Sequence, residues 1–322
     1  MKKILAISSF QDKSSLYDFL NKQSKGDGKW IKTELVLSNP DYYVVLNSPV
    51  LKGHIQNHDP KKTMILPCEP SPVRVWGKHY IYQKDPRYLK FCSPDRYLFP
   101  GFFWLNKTYS ELKNIKIEKN KCISTITGTK NKLLEGHKKR IEFIQYLEKD
   151  NELKDKLDVF GRHNLFNFKN YRGALKFQEK DEGTFPYKYH IAIENYSEKN
   201  YISEKLYDGI LSECLCFYWG CPNVEEHIDP RAIIRLNLDD FKEAVDTIRS
   251  AINNDEWNKR LKFIREEKIK ILDYHNFFPM IERIIDEVES IPRKKTRLIE
   301  LVKYYIVYRI VLPIKIFLKQ YV

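Results

Sequence analysis

The chain reads as an α/β protein with two domains built on parallel sheets. Three observations predict this. Short apolar runs with strand composition recur at Ile4–Ser8, Tyr42–Leu46, Thr63–Leu66, Leu157–Phe160, Tyr189–Ile193 and Leu215–Trp219. Runs of this length bounded by turn residues read as buried strands. Amphipathic helical patterns follow several of them, the succession that builds a parallel sheet. A polar, lysine-rich stretch, residues 106–121, divides the 322 residues into two parts of ordinary domain size.

The first part, residues 1–105, opens on the strand Ile4–Ser8. A short helix over Ser14–Gln23 follows, closed by the Gly26–Gly28 turn. The strand Thr63–Leu66 runs into Pro67-Cys68-Glu69-Pro70-Ser71-Pro72, where three prolines exclude regular structure. Phe91–Pro94 and Tyr97–Pro100 suggest short strands. Glu69 stands just past a strand end in a proline-stiffened loop. Its spacing alone reads as an exposed loop carboxylate.

The second part, residues 122–290, begins with the β-rich run Cys122–Thr127 and a turn over Gly128–Asn131. A helix is predicted from about Lys132 to Lys149, with Arg140 near its middle. The strand Leu157–Phe160 ends in Gly161-Arg162-His163. Residues 164–186 hold several aromatics without period and predict no element. Asp239–Asn254 reads as a helix, and Trp257–Glu289 as helical in two pieces.

The stretch Tyr187–Phe241 organises the whole. Its strand Tyr189–Ile193 emerges on Glu194 and Asn195. A polar loop leads to Ser203 in N-cap position. The next helix has Leu206, Ile210 and Leu211 on one face. The strand Leu215–Trp219 then stops at Gly220 and Pro222. In open parallel sheets ligands sit beyond the carboxyl ends of strands. Glu194, Asn195, Tyr201, Glu204 and Lys205 all fall there.

The pattern I-E-N-x4-N-Y-I-S-E-K-L over Ile193–Leu206 resembles the motif of the fucosyltransferase-type glycosyltransferases, family 10. That family reads roughly F-E-N-S-x3-D-Y-I-T-E-K-L, followed by an apolar strand, a Gly and a Pro. Ile193, Tyr196 and Asn200 depart from it. The continuation G-C-P-N-V-E-E to L-D-D-F extends the likeness over about fifty residues. The resemblance implies the GT-B arrangement, two Rossmann-like domains facing across a cleft, the first for the acceptor and the second for a nucleotide sugar. It implies an inverting transferase, most readily one using GDP-fucose, acting on a glycan hydroxyl. Family members carry the acceptor-activating base in a loop like the one around Glu69, ahead of a segment like Asp95-Arg96-Tyr97-Leu98. They carry a diphosphate-binding arginine at the position of Arg140.

Sugar transfer needs a base for the acceptor hydroxyl and a stabiliser for the departing diphosphate, with an oxocarbenium-like transition state. Glu69 is the candidate base. Arg140 offers a bidentate fork, Lys205 a point charge, and the helix N-terminus its backbone N–H groups. Asn195 and Glu204 suit ribose or sugar hydroxyls, Tyr201 can pack on the donor, and Glu194 either holds the donor sugar or orients Lys205. Asp239-Asp240 lacks the Asp-x-Asp spacing of a metal site and reads as a helix start. No metal or other cofactor is expected.

The charge of +13, from 56 Lys and Arg against 43 Asp and Glu, suggests an anionic partner or simply solvated lysine-rich faces. A nucleic-acid-binding protein would also explain it, but no nucleic-acid motif or base-stacking array is present, so no nucleic acid is expected. A transferase using a different nucleotide sugar stays open, because no residue pattern encodes the sugar. The cysteines at 68, 92, 122, 214, 216 and 221 form neither a zinc pattern nor a disulfide framework, which favours a reducing, cytoplasmic compartment. Met1–Phe10 lacks a cleavage site and reads as a strand. No run of eighteen apolar residues exists, so no spanning helix is expected. The tail, 291–322, interleaves Arg293, Lys294, Lys295, Arg297, Lys303, Arg309, Lys315 and Lys319 with apolar residues around Pro313. It fits either an anionic membrane face, or packing on the domain, or a dimer contact.

Overall fold

A computed structural model describes residues 1–76, 79–128, 134–290 and 298–311. The chain forms two compact units, Met1–Pro100 with Phe277–Val322, and Gly101–Asn276.

The first unit contains β1 (Lys2–Ser8), α1 (Lys13–Lys22), β2 (Thr33–Leu35), β3 (Tyr42–Leu46), β4 (Thr63–Leu66), α2 (Ser71–Trp76) and β5 (Lys90–Phe91). The strands pair in the order β2-β1-β3-β4-β5, all parallel. A parallel sheet covered on both faces needs strands apolar throughout, and Ile4–Ile7, Val44–Leu46 and Met64–Leu66 are all buried. The Asp12 side chain caps α1 by accepting from the Ser15 N–H at 3.0 Å. Leu16, Phe19 and Leu20 then turn inward at the i, i+3, i+4 spacing. Of the suggested strands near Phe91 and Tyr97, only Lys90–Phe91 forms.

The second unit contains α3 (Tyr109–Asn114), β6 (Lys121–Thr127), α4 (Glu135–Leu147), β7 (Leu157–Gly161), β8 (Tyr171–Gly173), β9 (Tyr187–Ile193), α5 (Glu204–Leu211), β10 (Leu215–Trp219), β11 (Ile233–Arg235), α6 (Phe241–Asn253) and α7 (Glu256–Lys270). Its strand order is β8-β7-β6-β9-β10-β11, all parallel. Numbered within the unit this is 3-2-1-4-5-6, the doubly wound order whose switch point lies between β6 and β9. The Asp240 side chain accepts from the Glu243 N–H and caps α6, the helix start expected there.

Two boundaries differ from the sequence expectation. Residues 106–121 are not a bare linker. Thr108 and Glu111 form a reciprocal capping box at the start of α3, and Tyr109 and Leu112 are buried. Tyr109 donates to Asp273 at 2.5 Å and the Asn106 N–H to Asp181 at 2.7 Å, which ties the segment into the second unit. The second unit also ends earlier than residue 290. After a π-helical turn over Ile271–His275, α8 (Phe277–Ser290) belongs to the first unit. There the Thr33 N–H donates to Glu282 at 2.9 Å, Trp30 stacks on Phe278 at 5.7 Å, and Lys90 pairs with Glu287.

Of the tail, α9 (Leu298–Tyr304) and the π-helical continuation to Val311 are described. Tyr304 donates to the Ile81 carbonyl at 2.6 Å. The basic cluster at 293–297 and the break at Pro313 lie outside the described residues, as does most of the turn expected after Gly128. Among the described residues no helix is long and apolar enough to cross a membrane.

Thr108→Ala should cost about 1 kcal/mol of stability by loss of the cap, read as a lower urea midpoint. A loose linker would show no change.

Candidate functional site

At the switch point of the second unit, the carboxyl ends of β6 and β9 open a cavity of about 340 Å³. Thr127 and Gly128 line it from β6, and Ile193 and Asn195 from β9. The first turns of α4 contribute His137 and Arg140, and those of α5 contribute Glu204, Lys205 and Asp208. Arg162, beyond β7, and Lys180, ahead of β9, add two further cations among the described residues.

The close approach of α4 to β9 depends on Gly136. A Cβ there would sit 2.0 Å from the Glu194 carbonyl oxygen, and the Gly136 N–H donates to the Asn195 carbonyl at 3.0 Å. One turn on, Arg140 is buried. Its Nε donates to the Ile193 carbonyl at 3.0 Å, and its Nη2 donates to that carbonyl and to the Asn195 side chain. Burial lowers its pKa from the ordinary arginine value, opposed by Glu194, Tyr201 and Glu204, yet a guanidinium keeps its charge. It holds the strand end in place and leaves Nη1 without a hydrogen bond to the described residues.

Glu194 has no solvent exposure and does not line the cavity. Its carboxylate accepts from the Ser203 N–H at 2.7 Å and the Ser203 hydroxyl at 2.5 Å, with the Lys205 ammonium at 3.9 Å. Burial raises its pKa against the pull of Lys205. Of its two expected roles, sugar contact and orientation of Lys205, the geometry supports the second. Gly220 makes this possible: it has φ +155°, and a Cβ would lie 2.4 Å from the Glu194 Cγ. Tyr201 is also buried and is not among the cavity-lining residues.

Glu204, like Asp208, lines the cavity. Its Oε1 lies 3.2 Å from the Lys205 ammonium and 3.3 Å from that of Lys180. Burial alone would raise its pKa, but the two lysines outweigh burial and hold the carboxyl well below the usual range. Asp208, one turn later, pairs with Lys180 at 3.1 Å and accepts from the Trp104 N–H at 2.7 Å. Burial dominates there and pushes its pKa up to about 6. His190 on β9 meets the Ser124 hydroxyl at 2.9 Å. Burial, with Lys180 and Lys119 nearby, lowers its pKa to about 3 and keeps it neutral.

Asn200 has φ +60°, a conformation that Asn tolerates better than most residues. Its side-chain oxygen accepts from Asn223 at 2.8 Å and from His227 at 2.7 Å, fixing the loop before α5.

Glu69 belongs to the first unit. It lies in the loop between β4 and α2, partly exposed; the helix already includes Ser71 and Pro72, so the irregular run is shorter than the three prolines suggested, proline being tolerated in a first helical turn. The Cys68 N–H donates to the Asn47 side chain at 2.6 Å and Arg74 donates to the Glu69 carbonyl at 3.0 Å, so the loop is held on both sides.

Thus Arg140, Asn195, Glu204 and Lys205 come together in one cavity, whereas Glu194 and Tyr201 support it from behind. His163 does not line it, but its neighbour Arg162 does. Sequence reasoning missed Lys180, Asp208, Trp104 and His137. The four-residue spacing of Glu204 and Asp208 on one helix face was a usable signal for Asp208. Lys180 lies in the aperiodic stretch 164–186 and left none. Among the described residues no group of three or more His, Cys, Asp or Glu is placed to hold a metal ion.

A doubly wound α/β unit with a cation-rich cavity at its switch point offers an anionic ligand a place beyond the strand ends. Residues 117–278 match the model of glycosyltransferase family 10 (fucosyltransferase), C-terminal region, and the chain belongs to this family. A stretch of 112 residues is 30% identical to the alpha-(1,3)-fucosyltransferase FucT of Helicobacter pylori. It covers 33% of this chain and 23% of that relative, so the match spans about a quarter of the relative's length. Among solved structures, an alpha1,3-fucosyltransferase with GDP-fucose is 15% identical, covering 92% of this chain and 93% of that one at a TM-score of 0.45. A T4 phage BGT mutant in complex with UDP-glucose is 11% identical, covering 90% of this chain and 100% of that one, with a TM-score of 0.50. This last likeness is one of fold, an α/β fold of parallel sheets in the GT-B class.

Gly220→Ala should destabilise the protein by roughly 2 kcal/mol or more, because it combines a strained φ with a clash on a buried carboxylate. Thermal unfolding monitored by circular dichroism would register the loss, and an unchanged midpoint would contradict this role for Gly220.

Proposed function

We propose that the chain transfers fucose from GDP-fucose to a glycan hydroxyl with inversion at the anomeric carbon. The observation that carries this reading is the cavity at the β6/β9 switch point, where, among the described residues, the cations Arg140, Arg162, Lys180 and Lys205 face the carboxylates of Glu204 and Asp208. That excess of positive charge suits a diphosphate. Arg140, through Nη1, and Lys205 take the diphosphate. Asn195 and Glu204 take hydroxyls of the ribose or sugar.

In the reaction the acceptor oxygen bonds to the anomeric carbon as the bond from that carbon to the β-phosphate oxygen breaks. The Glu69 carboxylate takes the hydroxyl proton, and GDP departs with the bonding pair. Fixed cations at the developing phosphate charge lower the barrier by about 3 kcal/mol for each well-placed donor. On this reading they do the work that a metal does in other transferases, and no cofactor is required.

Membership of the family does not choose the sugar. A panel of nucleotide sugars with mass detection of product tests the donor, and exclusive use of another sugar would overturn that part. All six cysteines are free thiols, which supports a reducing, cytoplasmic setting.

Helix α9 and its continuation also support peripheral membrane contact. Leu298, Ile299, Val302, Tyr305 and Ile306 form an exposed apolar stripe beside Lys303, while Tyr304 packs inward. We take this stripe, with the basic residues flanking it in sequence, to lie on an anionic bilayer.

Two variants separate chemistry from binding. Glu69→Gln should abolish transfer while GDP binding by calorimetry stays within twofold. Lys205→Ala should weaken GDP about tenfold or more, the effect of losing a charge-assisted contact. Normal turnover in Glu69→Gln would sink the base assignment. For the tail, the intact protein should sediment with phosphatidylglycerol vesicles but not with phosphatidylcholine vesicles. Leu298→Glu with Val302→Glu should abolish this, and equal sedimentation with both lipids would refute the membrane role.

A further inference from the structure

Lys180 is absent from the family-like motif and comes from a segment with no readable pattern. Yet it lines the cavity. Its surroundings form a closed ring of contacts. The Lys180 N–H donates to the Trp104 carbonyl at 3.0 Å, the Trp104 N–H donates to Asp208 Oδ1 at 2.7 Å, and Asp208 Oδ2 lies 3.1 Å from the Lys180 ammonium. The same ammonium sits over the Trp104 ring, 4.7 Å from its centroid. Backbone, indole and carboxylate therefore fix where this cation stands.

From that fixed place it reaches Glu204 Oε1 at 3.3 Å, and the Lys205 ammonium reaches the same oxygen at 3.2 Å. Two ammonium groups thus share one oxygen of Glu204. The other oxygen, Oε2, makes no hydrogen bond to the described residues and is left to accept from a ligand. We propose that Lys180 is a positioning residue that, held by Trp104 and Asp208, fixes Glu204 as the acceptor for the ribose hydroxyls of the donor nucleotide. The proposal rests on the reading of Glu204 given above and commits it to the ribose.

The charge states agree with this geometry. Burial disfavours the charge on Lys180, but Glu204 and Asp208 outweigh it and hold its pKa above the ordinary lysine value. Glu204 in turn stays ionised and acts only as an acceptor. A carboxylate fixed in this way discriminates by whether hydroxyl donors are present, because a buried acceptor without its donor carries a desolvation penalty.

The test compares GDP with 2′,3′-dideoxy-GDP by calorimetry on the full chain. Wild type should bind GDP about tenfold more tightly than the dideoxy nucleotide. Lys180→Met should weaken GDP clearly more than it weakens the dideoxy nucleotide, which loses only the cavity's share of charge on the diphosphate, and so narrow the gap between them. Lys180→Arg should restore much of it. Lys180→Met leaves Asp208 buried without its cation. The double variant Lys180→Met with Asp208→Asn avoids this, keeps the acceptor for the Trp104 N–H and should narrow the gap equally, with melting curves confirming that it folds. A gap of unchanged size in both variants, or an equal loss for both nucleotides, would overturn the role of Lys180. Equal affinity of wild type for the two nucleotides, or a gap unmoved by Glu204→Gln, would instead overturn the reading of Glu204 and this proposal with it.

Discussion

A carboxylate without access to solvent, that of Glu194, takes both the N–H and the hydroxyl of Ser203. Almost every feature of the cavity follows from this contact. It ties the end of β9 to the first turn of α5, so the strand cannot shift without carrying Glu204 and Lys205 along. Burying a charge is costly unless hydrogen bonds and a counter-charge offset it. Here two donors and Lys205 supply them. Two glycines supply the space: Gly220 behind the carboxylate and Gly136 where α4 meets the following peptide. Arg140 then closes the other side by holding the Ile193 carbonyl.

This arrangement divides the polar residues of the motif into two groups. Glu194 and Tyr201 spend their chemistry inside the protein. Glu204, Lys205 and Asn195 face the cavity. The Asn200 amide, locked by Asn223 and His227, keeps the intervening loop in one conformation. The cavity therefore offers charges whose places are set before a ligand arrives, the condition under which electrostatic stabilisation is most effective.

Much of this was legible in the amino-acid order. The strands at Ile4, Tyr42, Thr63, Leu157, Tyr189 and Leu215 announced themselves because parallel strands buried on both faces are apolar throughout. Ser203 and Asp240 were readable as caps because a side-chain oxygen before an amphipathic run has few other uses. Glu194 kept two roles open because a polar residue at a strand end looks the same whether it turns out or in. Only the missing Cβ of Gly220 decides the direction. The run 106–121 was obscured by its lysines, although Thr108 and Glu111 stand at capping-box spacing. Lys180 was invisible because its neighbours are loop residues, and a contact between loop and helix leaves no period. Helix α8 had a readable apolar face, but periodicity does not say which sheet that face covers.

That last helix has a consequence for how the protein is made. The first unit is discontinuous: residues 1–100 are synthesised first, yet Glu282 and Phe278, which cover Thr33 and Trp30, leave the ribosome only after the whole second unit. During translation the amino-terminal sheet must wait with that flank uncovered while the intervening domain folds. An expression fragment cut at either crossing would inherit the same bare flank, so any dissection of this enzyme into halves has to carry residues 277–290 with the amino-terminal portion.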